Sequence, residues 1–140
     1  MFRSVLVPVD VTVPSDMKRL LAAAQDLVGK WEATVHVVSV VPDTGMAIVS
    51  AQFGADFEAQ ARAHAQHEVA TALSEAGLGA TVHILSGTVY DQVIRLADSL
   101  DVDLILVGAH RPELKDYLLG SNAARMLRHS KKSVLVLRRD

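Results

Sequence analysis

The sequence predicts an α/β protein with a single open, parallel, five-stranded sheet in the order 3-2-1-4-5 and helices on both faces. Short apolar runs alternate with segments of helical periodicity along all 140 residues, and this alternation implies right-handed βαβ units. Hydrophobic residues make up 50% of the chain but aromatic residues only 4%, so the core must consist of Val, Leu, Ile and Ala. Such a composition suits a parallel sheet that helices cover on both sides. The length is that of one domain, which we expect residues 1–140 to form.

Five runs of β-branched and aliphatic residues predict the strands. The first run is followed by Asp10, and Pro8 is expected near its carboxyl end, because proline removes a hydrogen-bond donor from the ladder. The fourth run, residues 104–107, is apolar at every position, as is typical of a buried parallel strand. The predicted strands are residues 5–9, 34–41, 81–86, 103–107 and 133–137.

Four segments with apolar residues at helical spacing predict the helices. We expect the first helix to end at Gly29 and the second to be stopped by Gly77. Thr88 is the predicted N-cap of the third helix, and Ser121 or Asn122 is that of the fourth. The predicted helices are residues 14–28, 56–76, 89–100 and 123–129.

The predicted strand order places a ligand crevice between strands one and four, where the direction of winding reverses. Asp10 at the tip of strand one and Gly108 at the tip of strand four would stand on either side of this crevice. On its residue type and position alone, Asp10 is explained equally well by a turn and by contact with a ligand.

The turn Gly120-Ser121-Asn122 precedes the fourth helix and outlines an anion site. The first N–H groups of a helix are unpaired, and together with the positive end of the helix dipole they favour a phosphate in the preceding loop. An ordinary βα loop that binds nothing explains the same pattern equally well.

The spacing Gly108-x2-Arg111-x8-Gly120-Ser121 resembles the signature of the universal stress protein family, G-x2-G-x9-G-[S/T]. The resemblance extends over all 140 residues, from VLVPVD at 5–10, which is similar to that family's first strand, to KSVLVLR at 132–138, which is similar to its last. HRPE at 110–113 and SNAARMLRH at 121–129 resemble the small bacterial F/G branch. Two features depart from the family pattern: Arg111 replaces the second glycine, and the loop is one residue shorter.

This resemblance implies a stress-response regulatory protein that binds ATP or another adenine nucleotide, together with Mg²⁺, and has no dedicated catalysis beyond slow ATP hydrolysis. In the family, the aspartate at the position of Asp10 sits beside the adenine and ribose, and a residue near Val40 contacts the adenine through its backbone. The nucleotide-binding residues predicted on this basis are Pro8, Val9, Asp10, Val40, Val107, Gly108, His110, Arg111, Gly120, Ser121 and Asn122.

Arg111 leaves two functions open. Its planar guanidinium can offer a charge-assisted contact to a phosphate in place of the close backbone approach that glycine permits. Alternatively its side chain fills the pocket, and the protein is a ligand-free dimerising scaffold of the same fold. His110 is interpreted as a residue that lines the ligand or braces the loop, because no partner for catalysis is evident nearby.

Several other classes of protein are disfavoured. A net charge of −2 and the absence of cysteine argue against a nucleic-acid partner, a disulfide framework and a thiolate zinc site. His64 and His67, spaced i and i+3, have no third ligand and fit a solvated helix face, so no metal site is predicted. No phosphoacceptor Asp ends strand three, and no Gly-x-Gly-x-x-Gly follows strand one, which disfavours a receiver domain and a dinucleotide oxidoreductase. No apolar run is long enough to span a membrane, so a cytoplasmic protein is expected.

The fifth strand is predicted to be an edge of the sheet, and its residues are apolar. An exposed apolar edge invites pairing with another chain. We therefore expect a homodimer through residues 133–138, which is also how members of the resembled family commonly dimerise.

Overall fold

The computed structural model describes residues 1–41, 56–109 and 120–138. Within these residues, strands and helices alternate along the chain as the sequence predicts. The elements are β1 (Ser4–Pro8), α1 (Pro14–Trp31), β2 (Thr34–Val41), α2 (Asp56–Ala76), β3 (Thr81–Ser86), α3 (Val89–Leu100), β4 (Leu104–Gly108), α4 (Ser121–His129) and β5 (Ser133–Leu137).

The five strands form one parallel sheet in the order β3-β2-β1-β4-β5, which confirms the predicted topology. β1 is the central strand, with Val5 opposite Val35 of β2 on one side and Leu104 of β4 on the other. Pro8 is the last residue of β1, where the loss of a ladder donor costs least.

Alternation of side chains along the strands divides the core into two layers. Val5 and Val7 face α1 and α2, whereas Leu6 between them faces α3 and α4. All three are fully buried, so β1 is covered on both faces by helices, as predicted.

The ends of two helices differ from the prediction. α1 continues through Gly29 to Trp31 and ends where Glu32 adopts a left-handed backbone, with φ of 53°, and donates its N–H to the carbonyl of Val28. Leu27 and Val28 pack against the core, and these contacts offset the cost of about 1 kcal/mol that glycine imposes on a helix interior.

α4 begins at Ser121, earlier than predicted, with Gly120 as its N-cap. The extended backbone of Gly120, with φ of −64° and ψ of 155°, lets its carbonyl accept the first intrahelical bond, from the N–H of Ala124. Neither Ser121 nor Asn122 is therefore the cap, and both belong to the first turn of the helix.

The predictions for the other two helices are confirmed in position. Gly77 follows α2 with φ of 66°, and the N–H of Leu78 donates to the carbonyl of Leu73, which closes the helix end. Thr88 is the N-cap of α3, although its hydroxyl makes no capping hydrogen bond.

Candidate functional site

A cavity of about 420 Å³ opens at the carboxyl ends of β1, β2 and β4, where the winding of the sheet reverses. Its walls come from these strand ends, from the loop after β1, and from α1, α3 and α4. The lining residues of the described part of the chain are Pro8, Val9, Asp10, Val11, Thr12, Asp16, Leu20, Val38, Ser39, Val40, Val41, Val89, Val93, Val107, Gly108, Asn122, Ala123 and Met126.

Asp10 stands exposed at the tip of β1, and a turn fixes its carboxylate. Its Oδ1 accepts hydrogen bonds from the backbone N–H of Thr12 at 2.9 Å and from the Thr12 hydroxyl at 2.6 Å. The ladder continues past Pro8, because the N–H of Val9 donates to the carbonyl of Val38. Asp10 thus serves the turn with one oxygen and lines the cavity, so the two roles weighed for it from sequence are compatible.

Gly108 closes β4 directly against the first turn of α1. A Cβ atom at this position would lie 2.8 Å from Oδ2 of Asp16 and 3.3 Å from its Oδ1. This approach is closer than a real Cβ contact, so a side chain at position 108 would require the Asp16 carboxylate to move. The preference for glycine at position 108 therefore has a cause within the protein, the side chain of Asp16.

Asp16 carries an oxygen with unsatisfied hydrogen-bonding capacity. Its Oδ1 is buried and accepts no hydrogen bond within the described part of the chain, while Arg19 Nη1 approaches it at 3.7 Å. The same guanidinium donates through Nη2 to the backbone carbonyl of Arg138 at 2.9 Å, just beyond β5. Arg19 therefore connects the wall of the cavity with the end of the last strand.

The electric field in the cavity has contributions of both signs. Among the described lining residues, the charged side chains are the carboxylates of Asp10 and Asp16. Opposing them is the start of α4, where Asn122 and Ala123 line the cavity in the first turn and helical N–H groups lack intrahelical acceptors. A ligand that combines an anion with a cation fits this arrangement better than an anion alone.

The remaining wall is apolar. Val40 at the end of β2 and Val89, Val93 and Met126 on the helices line the side of the cavity nearest α3 and α4. Ser39 is the one polar residue among the described residues that is buried, with 3% of its surface exposed, and it also lines the cavity. Such walls suit a flat, largely apolar group that carries a few polar atoms.

The predicted site residues divide into three groups. Seven line the cavity; Gly120 and Ser121 lie at the start of α4 without lining it; and His110 and Arg111 lie outside the described residues. Their role in nucleotide binding stays a prediction. The seven lining residues are Pro8, Val9, Asp10, Val40, Val107, Gly108 and Asn122.

Sequence reasoning missed Asp16, Ser39, Val89 and Val93. Asp16 was interpretable only as a favourable acid in the first turn of a helix. Ser39 did carry a signal, because it interrupts the run of valines at residues 37–41. Val89 and Val93 fall within the helix predicted at residues 89–100. Helical spacing of apolar residues does not tell which of them lie beside the end of a strand and line the cavity.

Among the described residues, no group of three or more His, Cys, Asp and Glu side chains is placed to hold a metal ion. No helix in the described segments combines the length and the apolar character needed to cross a membrane.

Comparison with known proteins shows which protein family this chain matches. A model of the Universal stress protein family matches residues 1–138. Universal stress protein G of Shigella flexneri is 31% identical over 146 residues, which cover 99% of this chain and 100% of that protein.

Solved structures share the fold. Universal stress protein UspA from Lactobacillus plantarum has a TM-score of 0.81 at 20% identity, with 98% of both chains covered. A universal stress protein in complex with cAMP has a TM-score of 0.66 at 23% identity, covering 98% of this chain and 97% of that one. The universal stress protein from Archaeoglobus fulgidus in complex with dAMP has a TM-score of 0.65 at 18% identity, with 98% of both chains covered.

Proposed function

Because this chain belongs to the universal stress protein family, we propose that it is a stress-response regulatory protein that binds an adenine nucleotide at the ends of β1 and β4. The observation that carries this proposal is the cavity in which Asp10, Gly108 and the first turn of α4 converge. Two structures of the same fold are complexes with cAMP and dAMP, and these ligands have adenine and phosphate in common. We propose ATP as the nucleotide for this chain.

The base would occupy the apolar side of the cavity. Val40, Val89 and Val93 offer aliphatic surface to the faces of a purine ring, and backbone groups at the end of β2 offer hydrogen bonds to its edge. Asp10 Oδ1 already accepts from Thr12, so the second carboxylate oxygen is the one available for a ribose hydroxyl. Recognition of the nucleoside would then involve few polar contacts.

The phosphates would lie toward the start of α4. The N–H groups of Ser121 and Asn122 belong to the first turn, where the helix offers donors and a positive dipole end to an anion. In this proposal Arg111 adds its guanidinium to the same phosphates, and His110 lines the ligand or braces the loop. Gly120, the N-cap of α4, leaves the approach to the helix start free of a side chain.

A divalent cation fits beside Asp16. Mg²⁺ is bound in proteins by one or two carboxylates plus the phosphates of a nucleotide. The buried Oδ1 of Asp16, which accepts no hydrogen bond within the described residues, is the oxygen on which this fit rests. Asp16 would hold the ion, and Asp10 is the second carboxylate of the cavity. Bound there, Mg²⁺ would neutralise phosphate charge that the two carboxylates otherwise repel.

We infer regulation and not dedicated catalysis, in a cytoplasmic protein whose 140 residues act as one nucleotide-binding domain. No described residue of the cavity forms a nucleophile and base pair, and the sequence has no Gly-x4-Gly-Lys-[Ser/Thr] phosphate loop. Turnover of ATP, if measured, is expected to be slow compared with typical enzymes, whose turnover numbers are roughly 1–1,000 per second.

The protein would act as a homodimer through β5 and Arg138. Leu135 is 37% exposed in the middle of β5, which pairs with β4 on one side. Two copies related by a two-fold axis can join these edges as an antiparallel pair and extend the sheet across the dimer. Arg19, which contacts both Asp16 and the carbonyl of Arg138, would then connect each nucleotide site with the interface.

A thermal-shift titration with Mg-ATP, ADP and AMP tests nucleotide binding. At about 100 times the dissociation constant, a ligand specific for the folded state stabilises it by about 2.7 kcal/mol. We expect the melting temperature to rise with ATP, and Gly120→Val to abolish the rise by blocking the entrance to α4. Gly79→Val is the matched control, because a side chain at Gly79 meets no atom within 4 Å.

Two further variants divide the site into its parts. Arg111→Ala should weaken ATP more than AMP if the arginine contacts the outer phosphates. Asp16→Asn should reduce the extra stabilisation that Mg²⁺ gives over EDTA in the presence of ATP, with binding of metal-free nucleotide retained. No shift of the wild type, in a sample freed of carried-over nucleotide, would instead indicate a ligand-free dimerising scaffold whose pocket Arg111 fills.

A further inference from the structure

Two histidines meet on the sheet, on the half of β2 and β3 that lies away from the nucleotide cavity. His36 Nδ1 and His83 Nε2 are 3.1 Å apart, and the two rings are 5.3 Å apart between centroids with a tilt of 35°. The residues are 47 positions apart in sequence and come together only through the pairing of the strands. His36 lies opposite Thr81, and His83 opposite Val38, so the two rings are diagonal neighbours on one face.

The separation of the two nitrogens matches that of two neighbouring ligands on one metal ion. Zn–N bonds of about 2.0–2.1 Å at angles of roughly 90–110° place the two nitrogens about 2.9–3.4 Å apart. A hydrogen bond between the rings gives a similar distance, but it uses only one donor and one acceptor. Metal ligation needs a lone pair on both facing nitrogens, so an ion can replace the shared proton once the donor ring moves its proton to its other nitrogen.

The backbone holds the two rings in place before any ion arrives. Register pairs run the length of β3, from His36 with Thr81 to Val41 with Ser86, and β2 is paired on its other side with β1. Val35 and Val37, on either side of His36, are buried and anchor the strand. Chelation therefore requires little ordering of the backbone, which lowers the entropic cost of binding.

The pair is also open to solvent. Every position of β3 is at least partly exposed, and both histidines are partly buried but not enclosed. Water can thus fill the remaining positions of an ion held by the two rings. Burial lowers the pKa of His83, with a smaller contribution from the nearby His36, and this shift favours the neutral ring that presents a lone pair.

We propose that His36 Nδ1 and His83 Nε2 form a two-histidine site for a divalent transition-metal ion such as Zn²⁺, completed by water. Imidazole nitrogen favours Zn²⁺, Cu²⁺ and Ni²⁺ and disfavours Mg²⁺, which prefers oxygen ligands. The site is separate from the proposed nucleotide cavity, and it does not depend on the function proposed for that cavity. It also differs from the helical pair His64 and His67, because here a contact of 3.1 Å, and not sequence spacing alone, brings two ring nitrogens together.

Isothermal titration of the tag-free, EDTA-treated protein with ZnCl₂ at pH 7.5 tests the site. We expect one Zn²⁺ per chain in the wild type and no binding of MgCl₂. Loss of one ligand, in His36→Gln or His83→Gln, should weaken Zn²⁺ binding by at least about tenfold, since even the loss of an outer-shell partner costs 10–100-fold. The His64→Gln/His67→Gln double variant is the matched control and should bind Zn²⁺ as the wild type does.

A second measurement keeps the test independent of any misfolding of the variants. In wild-type protein, Zn²⁺ should shift the ¹⁵N resonances of His36 Nδ1 and His83 Nε2, while those of His64 and His129 stay in place. Lowering the pH to 5.5 should weaken the binding, because protons compete for both rings. Unchanged resonances for the pair, or full Zn²⁺ affinity in both single variants, would overturn the proposal and leave a hydrogen-bonded pair.

Discussion

At the residue scale, the contact between Gly108 and Asp16 decides what position 108 tolerates. The added Cβ of an alanine would lie 2.8 Å from the nearest Asp16 oxygen, so the carboxylate would have to move. Asp16 lines the cavity, so its carboxylate can move only by disturbing its ion pair with Arg19, which is itself held by the carbonyl of Arg138. The glycine of the family signature therefore has a structural role here, whether or not a phosphate approaches it.

Gly108→Ala is expected to lower the free energy of unfolding by about 1 kcal/mol, the lower end of the range for overpacking, because Gly108 is only partly buried. Urea denaturation measures this loss. Asp16→Ala in the same background should restore part of it, with a coupling energy of about 0.5–3 kcal/mol between the two positions. Additive effects of the two changes would contradict the contact.

Gly29→Ala is the matched control for this experiment. Gly29 lies inside α1, and a Cβ there meets no atom within 4 Å. The substitution should therefore raise the free energy of unfolding by about 0.5–1 kcal/mol through helix propensity alone. The two glycines thus give opposite signs for the same chemical change.

At the element scale, the two edges of the sheet differ. On β3, Arg62 of α2 donates to the carbonyl of Ile84 at 2.7 Å and to the hydroxyl of Ser86 at 3.0 Å, and that hydroxyl donates to Glu58. Gly87 donates its N–H to the carbonyl of Val41 on β2. Successive residues of a strand direct their backbone groups to opposite sides, so Ile84, three residues earlier, directs its carbonyl away from β2 and toward the unpaired edge. Arg62 thus occupies a backbone acceptor that a second chain would use.

Arg62→Ala is expected to cost about 1 kcal/mol of stability and to increase association through β3, since a free edge templates strand pairing. Urea denaturation and light scattering below the melting temperature measure the two effects. Arg95→Ala is a suitable control, because its exposed ion pair with Asp91 spans one helical turn and is worth only about 0.3–0.5 kcal/mol. Equal scattering from both variants would show that Arg62 does not protect the edge.

At the scale of the whole molecule, β5 is the edge left for a second copy. Leu135 and Leu127 are among the exposed large hydrophobic residues of the described chain, at 37% and 45% exposure, and both flank this edge, on β5 and on α4. In a two-fold pairing of β5 strands, the middle residue lies close to the symmetry axis. The same side chain then meets its own copy, which makes that position sensitive to charge.

Leu135→Asp is expected to convert the proposed dimer to a monomer of 15.1 kDa, because the substitution would bring two like charges together in an apolar interface. Sedimentation equilibrium measures the mass. Leu127→Asp tests whether the face of α4 carries the interface instead, and it should leave the dimer intact if the strands pair. A wild type that sediments as a monomer at all concentrations would rule out the dimer.

Much of the fold could be predicted from the chain because β-branched runs and helical stripes are local patterns. The strands, the order 3-2-1-4-5 and the crevice after β1 and β4 follow from these patterns and from the handedness of βαβ units. The family followed from the spacing of Gly108, Gly120 and Ser121. Helix ends were less predictable: Gly29 did not stop α1, because the contacts of Leu27 and Val28 with the core extend the helix.

The sequence by itself thus determined the architecture, the family and the place of the cavity, since residue type and spacing encode them locally. The tertiary structure alone decided which distant side chains touch: Asp16 against Gly108, Arg62 against the β3 edge, and the pair formed by His36 and His83. These contacts depend on strand register and on how helices lie across the sheet. A shift of one residue in register would turn each strand side chain to the opposite face, and no local pattern records that choice.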